Sequence, residues 1–86
     1  MPKLSEFFGI AIYMYWGDHG PPHFHARYGG EKASISIEDL SLLAGGLPPR
    51  ALGLVIEWAS LHRVELEDAW RRASNNEPLD PIEPLK

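Results

Sequence analysis

Three of the four histidines in this 86-residue chain fall within Trp16-Gly17-Asp18-His19-Gly20-Pro21-Pro22-His23-Phe24-His25-Ala26, together with one acid, two glycines and two prolines. The glycines and prolines read as a stiffened turn running into a strand. Side chains alternate across a strand, so His23 and His25 project from one face and Phe24 from the other. Imidazole is the commonest metal-binding side chain, and two of them on alternate strand positions can converge on one ion. His19 or Asp18 would complete such a donor set from the turn. The chain has no cysteine, so a site built from Asp18, His19, His23 and His25 suits a divalent transition metal such as zinc, iron, nickel, copper or manganese, with coordination positions left open.

Two other chemistries fit the same residues. Cleavage of RNA by its own 2′-hydroxyl needs a base and an acid working near neutral pH, roles that His19, His23 and His25 can divide. Arg27 falls on the same strand face, where a guanidinium stabilises phosphate charge, and Tyr13 and Tyr15 offer rings for stacking exposed bases. In the third reading Asp18 and His19 cap a turn, and His23 and His25 hydrogen-bond Ser36 and Ser34 across a hairpin. The face is then a protein interface.

The elements that position these residues follow from periodicity. Residues 10–16 alternate, with Ile10, Ile12 and Met14 on one side and Ala11, Tyr13 and Tyr15 on the other, which predicts a strand. Further strands are predicted over 23–28 and 32–37. Gly29-Gly30 between them signals a tight hairpin, because glycine reaches the positive φ that such turns require. A two-residue loop pairs Phe24 with Ile35, His25 with Ser34 and His23 with Ser36. That register keeps Ile10, Ile12, Met14, Phe24, Ala26, Ile35 and Ile37 on one face and Tyr13, Tyr15, His23, His25, Arg27, Ser34 and Ser36 on the other.

Helical pattern runs from about 48 to 75, opening at Pro48-Pro49, which a first turn tolerates. Leu52, Val55, Ile56 and Ala59 form a stripe broadened by Ala51, Leu54, Trp58 and Leu61. A helix so apolar around its circumference must bury more than one side, which predicts a second copy of the chain or a small cognate protein as partner. After Val64 the stripe narrows to Leu66, Ala69, Trp70 and Ala73, with Glu67/Arg71 and Asp68/Arg72 spaced for ion pairs facing water. The segment is one long helix or two consecutive ones meeting near His62-Arg63. Residues 77–86 carry proline at every third position and form an extended tail with Leu79, Ile82 and Leu85 able to dock. The expected fold is α+β in one domain over residues 1–86: a three-stranded antiparallel meander, helices packed on its apolar face, and a Pro-rich tail.

Composition narrows the classes of function. Net charge is −4, which argues against a broad nucleic-acid surface, but its distribution matters more. Residues 1–37 are neutral overall, whereas residues 38–86 carry nine acids against five bases. The histidine-bearing half therefore tolerates an anionic ligand. No apolar run is long enough to span a bilayer and no leader pattern is visible, so a cytoplasmic protein without a membrane partner is expected.

At Asp18-His19-Gly20-Pro21-Pro22-His23-Phe24-His25-Ala26 the chain resembles an uncharacterised family of short prokaryotic proteins, domain of unknown function family 4160. The likeness continues through Phe7-Phe8-Gly9-Ile10, Tyr13-Met14-Tyr15, Ile35-Ser36-Ile37, Leu47-Pro48, Glu57-Trp58-Ala59, His62-Arg63, Trp70 and Ile82-Glu83-Pro84-Leu85. The resemblance implies a small stand-alone protein, often paired with another short protein in arrangements that look like toxin and antitoxin modules, and it carries over no catalytic residue. Joined to the histidine segment, it leads to the expectation of a toxin/antitoxin-like component that binds or cleaves RNA. A metal-binding protein and a non-catalytic interaction module are the alternatives.

Overall fold

Gly29-Gly30 closes the hairpin that the alternation predicts. Strands β3 (His23–Tyr28) and β4 (Glu31–Ser36) pair antiparallel with Phe24 opposite Ile35, His25 opposite Ser34 and His23 opposite Ser36. Gly29 takes φ 59°, the left-handed value a two-residue turn needs. The structure, a computed structural model, describes residues 2–86.

The sheet has five strands rather than the three expected. Strand β1 (Lys3–Phe7) precedes β2 (Ile10–Tyr13), β5 (Leu42–Gly45) follows β4, and all neighbours run antiparallel in the order β1-β2-β3-β4-β5. Both additions enter through turns whose chemistry hides them. The β1–β2 turn puts Phe8 at φ 49° and Gly9 at φ 78°, and the β4–β5 turn puts Leu40 at φ 58°. Bulky residues seldom adopt that region, so neither dipeptide reads as a hairpin. Strand β5 also lacks alternation, being Leu-Leu-Ala-Gly and exposed throughout. It closes on Gly45, where a Cβ would stand 2.2 Å from the Lys32 carbonyl oxygen; only glycine allows that approach.

Strand β2 stops at Tyr13 and does not reach Trp16. Met14 is still fully buried, but the chain then leaves the sheet, and the Gly17 amide donates to the carbonyl of Ala73 at 3.3 Å.

Two helices cover the apolar face, α1 (Pro49–Leu61) and α2 (Arg63–Ser74). The division falls at His62, whose φ of −124° and ψ of 28° leave the helix. Its carbonyl accepts from the Leu66 amide at 2.9 Å, which starts the next helix. Trp58 occupies the middle of the core, its ring 5.5 Å from that of Phe7 and 5.9 Å from that of Phe24.

Part of the rest of α1's apolar circumference is covered from within the chain. Leu52, Leu54 and Ile56 pack against the core, as do Leu79 and Leu85 of the tail, and Ile82 is buried in it. The Trp58 indole N–H donates to the Glu83 carbonyl at 2.8 Å, giving a buried polar tip its partner. Residues 77–86 thus dock on the core through Leu79, Ile82 and Leu85, while Leu61 at the end of α1 stays exposed. On α2 the Asp68–Arg72 pair forms as spaced, but Arg71 turns to Asp68 at 2.7 Å rather than to Glu67. Among the described residues no helix is long and apolar enough to cross a membrane.

Candidate metal centre

The helices leave the other sheet face uncovered, and register orders its side chains into rows. One row runs Tyr13, His25, Ser34, Ala44; the next runs Glu6, Ala11, Arg27, Lys32. His23 and Ser36 lie opposite one another at the end of the β3–β4 hairpin. There the loop between β2 and β3 comes across, and it is tied to residues far along the chain. The Trp16 indole N–H donates to the Glu77 carbonyl at 2.9 Å, and Gly17 is held by Ala73 as described. Gly20, at φ 90°, lets the loop double back.

That path brings the Asp18 carboxylate onto both imidazoles. Oδ2 lies 3.0 Å from Nε2 of His23 and 3.3 Å from Nε2 of His25, while Oδ1 accepts the His19 amide N–H at 2.9 Å. The opposite nitrogens are also engaged. Nδ1 of His23 donates to the Pro21 carbonyl at 2.8 Å, and Nδ1 of His25 lies 3.2 Å from Ser34 Oγ. Trp70 of α2 flanks the His23 ring at 5.2 Å, and Tyr15 meets the His25 ring edge-on at 4.4 Å. Side-chain exposure rises from 11% at His23 through 23% at His25 to 28% at Asp18, so the group opens on one side.

Hydrogen-bond chemistry constrains the protons. A carbonyl only accepts, so Nδ1 of His23 carries its hydrogen, and a neutral His23 turns the bare lone pair of Nε2 toward an anionic oxygen. That contact is favourable only with a cation between them, either a proton on Nε2 or a metal ion. Ser34 can donate or accept, so His25 is free to present either tautomer.

The electrostatics favour deprotonated donors. Burial by itself would raise the Asp18 pKa, but the His19 amide, the His25 hydrogen bond and the charges of the two histidines outweigh it and hold the carboxyl below its ordinary value. Burial lowers the pKa of His25. Asp18 opposes that shift, the charges of His23 and Lys32 add to it, and the net direction is down. Near neutral pH this leaves a carboxylate beside a neutral imidazole, which is what a divalent transition metal requires.

Size agrees as well. Nitrogen and oxygen donors bind such ions at about 2.0–2.2 Å, which separates neighbouring donors by about 2.9 Å in an octahedron and about 3.4 Å in a tetrahedron. The 3.0 and 3.3 Å separations lie in that range, and one donor atom from each of Asp18, His23 and His25 lies within 4.8 Å of the others.

The profile described as Domain of unknown function (DUF4160) matches residues 9–71, nearly three-quarters of the chain and the whole donor set. The chain belongs to the DUF4160 family. No curated protein and no solved structure matches it.

In this DUF4160 protein the sequence-predicted residues divide into two groups. Asp18, His23 and His25 converge. His19 contributes its amide to Asp18 while its side chain is exposed and outside the donor set. Arg27 lies over the Tyr13 ring, 6.0 Å from its centroid, and with Tyr15 it borders an open basin on the sheet face, next to His25. His25 bonds to Ser34 across the hairpin as its register requires, whereas His23 turns away from Ser36 to the Pro21 carbonyl. Trp70 is the site residue that sequence reasoning missed. It sits on the stripe that buries Leu66 and Ala73, and nothing in helical periodicity distinguishes packing on a histidine from packing on the core.

Proposed function

We propose that this DUF4160 protein binds a divalent transition-metal ion through Asp18 Oδ2 and the Nε2 atoms of His23 and His25. The observation that carries the reading is the orientation of the histidines. Each aims Nε2 at the same carboxylate oxygen while its Nδ1 is fixed by an outer partner, the Pro21 carbonyl for His23 and the Ser34 hydroxyl for His25. Outer hydrogen bonds of this kind aim metal-binding histidines, and the Pro21 carbonyl also sets the tautomer of His23, while Ser34 accommodates the one His25 needs. Two histidines and one carboxylate leave coordination positions open, as catalytic rather than structural sites do. A bound ion would supply Lewis acidity and a water of lowered pKa on the exposed side. Trp70 lies beside His23, so quenching of its fluorescence by Co²⁺ or Ni²⁺ tests the reading. One ion per chain is expected to bind the tag-free protein with micromolar affinity or better, and Asp18→Asn is expected to abolish it. Failure of Mn²⁺, Fe²⁺, Co²⁺, Ni²⁺ and Zn²⁺ alike to bind at that level would reject it.

A second reading, acid and base work on a phosphodiester, draws support from His25. Held neutral by its surroundings next to Asp18, it suits a general base, with a protonated His23 as acid. Chelators separate the two readings: an acid/base pair keeps its activity in EDTA, and RNA cleaved by it carries 2′,3′-cyclic phosphate ends.

A further inference from the structure

Arg27 and Lys32 stand directly opposite one another on β3 and β4, side chains on the same face. Like charges in that arrangement repel and destabilise a sheet, so proteins normally offset them with a carboxylate. Here none is supplied: among the described residues neither Arg27 nor Lys32 has an acidic partner within ion-pair distance. The acid in the same row, Glu6, is two strands from Arg27 across Ala11 and is engaged by Lys3. The two cations border an open basin of about 490 Å³ that is also lined by Tyr15, His25 and Ser34. Its β5 side is built of Ala44 and Gly45, small residues that leave the space above them free. Ligand sites for small molecules start at about 300 Å³.

We infer that this basin binds the phosphate of a small phosphate ester, about the size of a mononucleotide, through Arg27 and Lys32. A guanidinium fork, an ammonium point charge and the Ser34 hydroxyl together match a dianionic, multiply accepting phosphate better than a single carboxylate. Tyr15 and His25 present rings beside it for a flat organic portion of the ester. His25 borders the basin and also belongs to the Asp18 group, so the proposed metal centre and the basin share that residue. Binding of the phosphate stands on the two cations alone; only its activation by an ion rests on the metal reading.

The experiment titrates EDTA-treated protein at low ionic strength with inorganic phosphate, AMP and adenosine, following heat of binding and amide NMR shifts. AMP is expected to bind, inorganic phosphate to bind more weakly, and adenosine not to bind detectably. Arg27→Gln and Lys32→Gln should each weaken AMP binding by about tenfold, the loss of one charge-assisted hydrogen bond, while leaving Zn²⁺ binding unchanged and the ligand-free thermal midpoint equal or higher, since each relieves the repulsion between the two cations. Asp18→Asn should do the converse, so a failed metal centre and a failed phosphate basin give different results. AMP that does not bind, AMP that binds both glutamine variants as tightly as the native chain, or a short RNA that binds where AMP does not would each overturn the inference.

Discussion

Adding metal should stabilise the fold by an amount set by mass action. An ion held at a hundred times its dissociation constant raises the unfolding free energy by about 2.7 kcal/mol. For a domain of 60–100 residues each kcal/mol shifts the midpoint by about 4–8 °C, so saturating Zn²⁺ or Mn²⁺ should raise Tm by about 10–20 °C. Asp18→Asn removes the oxygen shared by both Nε2 atoms and should erase the shift while retaining an amide oxygen for the His19 N–H. His23→Ala should erase it too, and it should also lower the metal-free midpoint, because a largely buried ring that packs on Trp70 and bonds the Pro21 carbonyl is removed. Protons compete for the same lone pairs, so the metal-induced shift should shrink as pH falls. Competition at His25 sets in at lower pH than for an ordinary imidazole, since its pKa is depressed. The assay is differential scanning fluorimetry of tag-free protein across pH with and without each ion. An equal shift in native and Asp18→Asn protein, or no shift with any ion, refutes the donor assignment.

Three further outcomes test the fold and its charges. Phe24→Ala should cost about 3–5 kcal/mol by opening a cavity against Trp58, and His25→Ala much less in metal-free protein; equal losses in denaturant titrations would mean the strand faces are misassigned. Gly45→Ala should destabilise by about 1–3 kcal/mol or force β5 off β4, because its φ is positive and the Lys32 carbonyl fills the space a Cβ needs; a neutral substitution in urea titration would contradict that approach. In EDTA, stability should fall with acidification in two stages. His25 is depressed below 6.5, so the unfolded chain takes up its proton first as pH drops below that value, and Asp18 is depressed below 3.8, so its contribution, present above 3.8, is lost below it. A His25→Gln variant should lose the upper stage and shrink the lower one, because His25 helps hold Asp18 down, which urea midpoints against pH would show.

The central hairpin was legible because three signals agree on it: Gly29-Gly30, strict alternation on both sides, and a register that keeps Phe24, Ala26, Ala33 and Ile35 together. Where the signals part, the sequence reads poorly. Phe8 and Leu40 do the work of glycine or asparagine in turns, and a strand of Leu42-Leu43-Ala44 has no polar alternate to reveal its faces. The breadth of α1's apolar surface was legible, as was an extended tail with Leu79, Ile82 and Leu85 placed to dock; that the Glu83 carbonyl would meet the Trp58 indole was not, since no local pattern joins residues so far apart. At the site, alternation alone joins His23 to His25. Which member of Asp18-His19 turns inward depends on Gly20 and on anchors at Ala73 of α2 and at Glu77 just beyond it, and these two lie far along the chain.

Those anchors bear on the order of assembly. The β3–β4 hairpin forms from neighbours and gives both imidazoles their common face early, since local contacts close at small entropic cost. The loop that delivers Asp18 is fastened by Ala73 and Glu77, the latter 61 residues from Trp16. It cannot be fixed until α2 has docked. A chain still emerging from the ribosome therefore offers a passing ion only a histidine pair, and the third donor is held in place only once the last third of the polypeptide has folded. The donor set is finished last, so metal would enter a completed fold rather than template it.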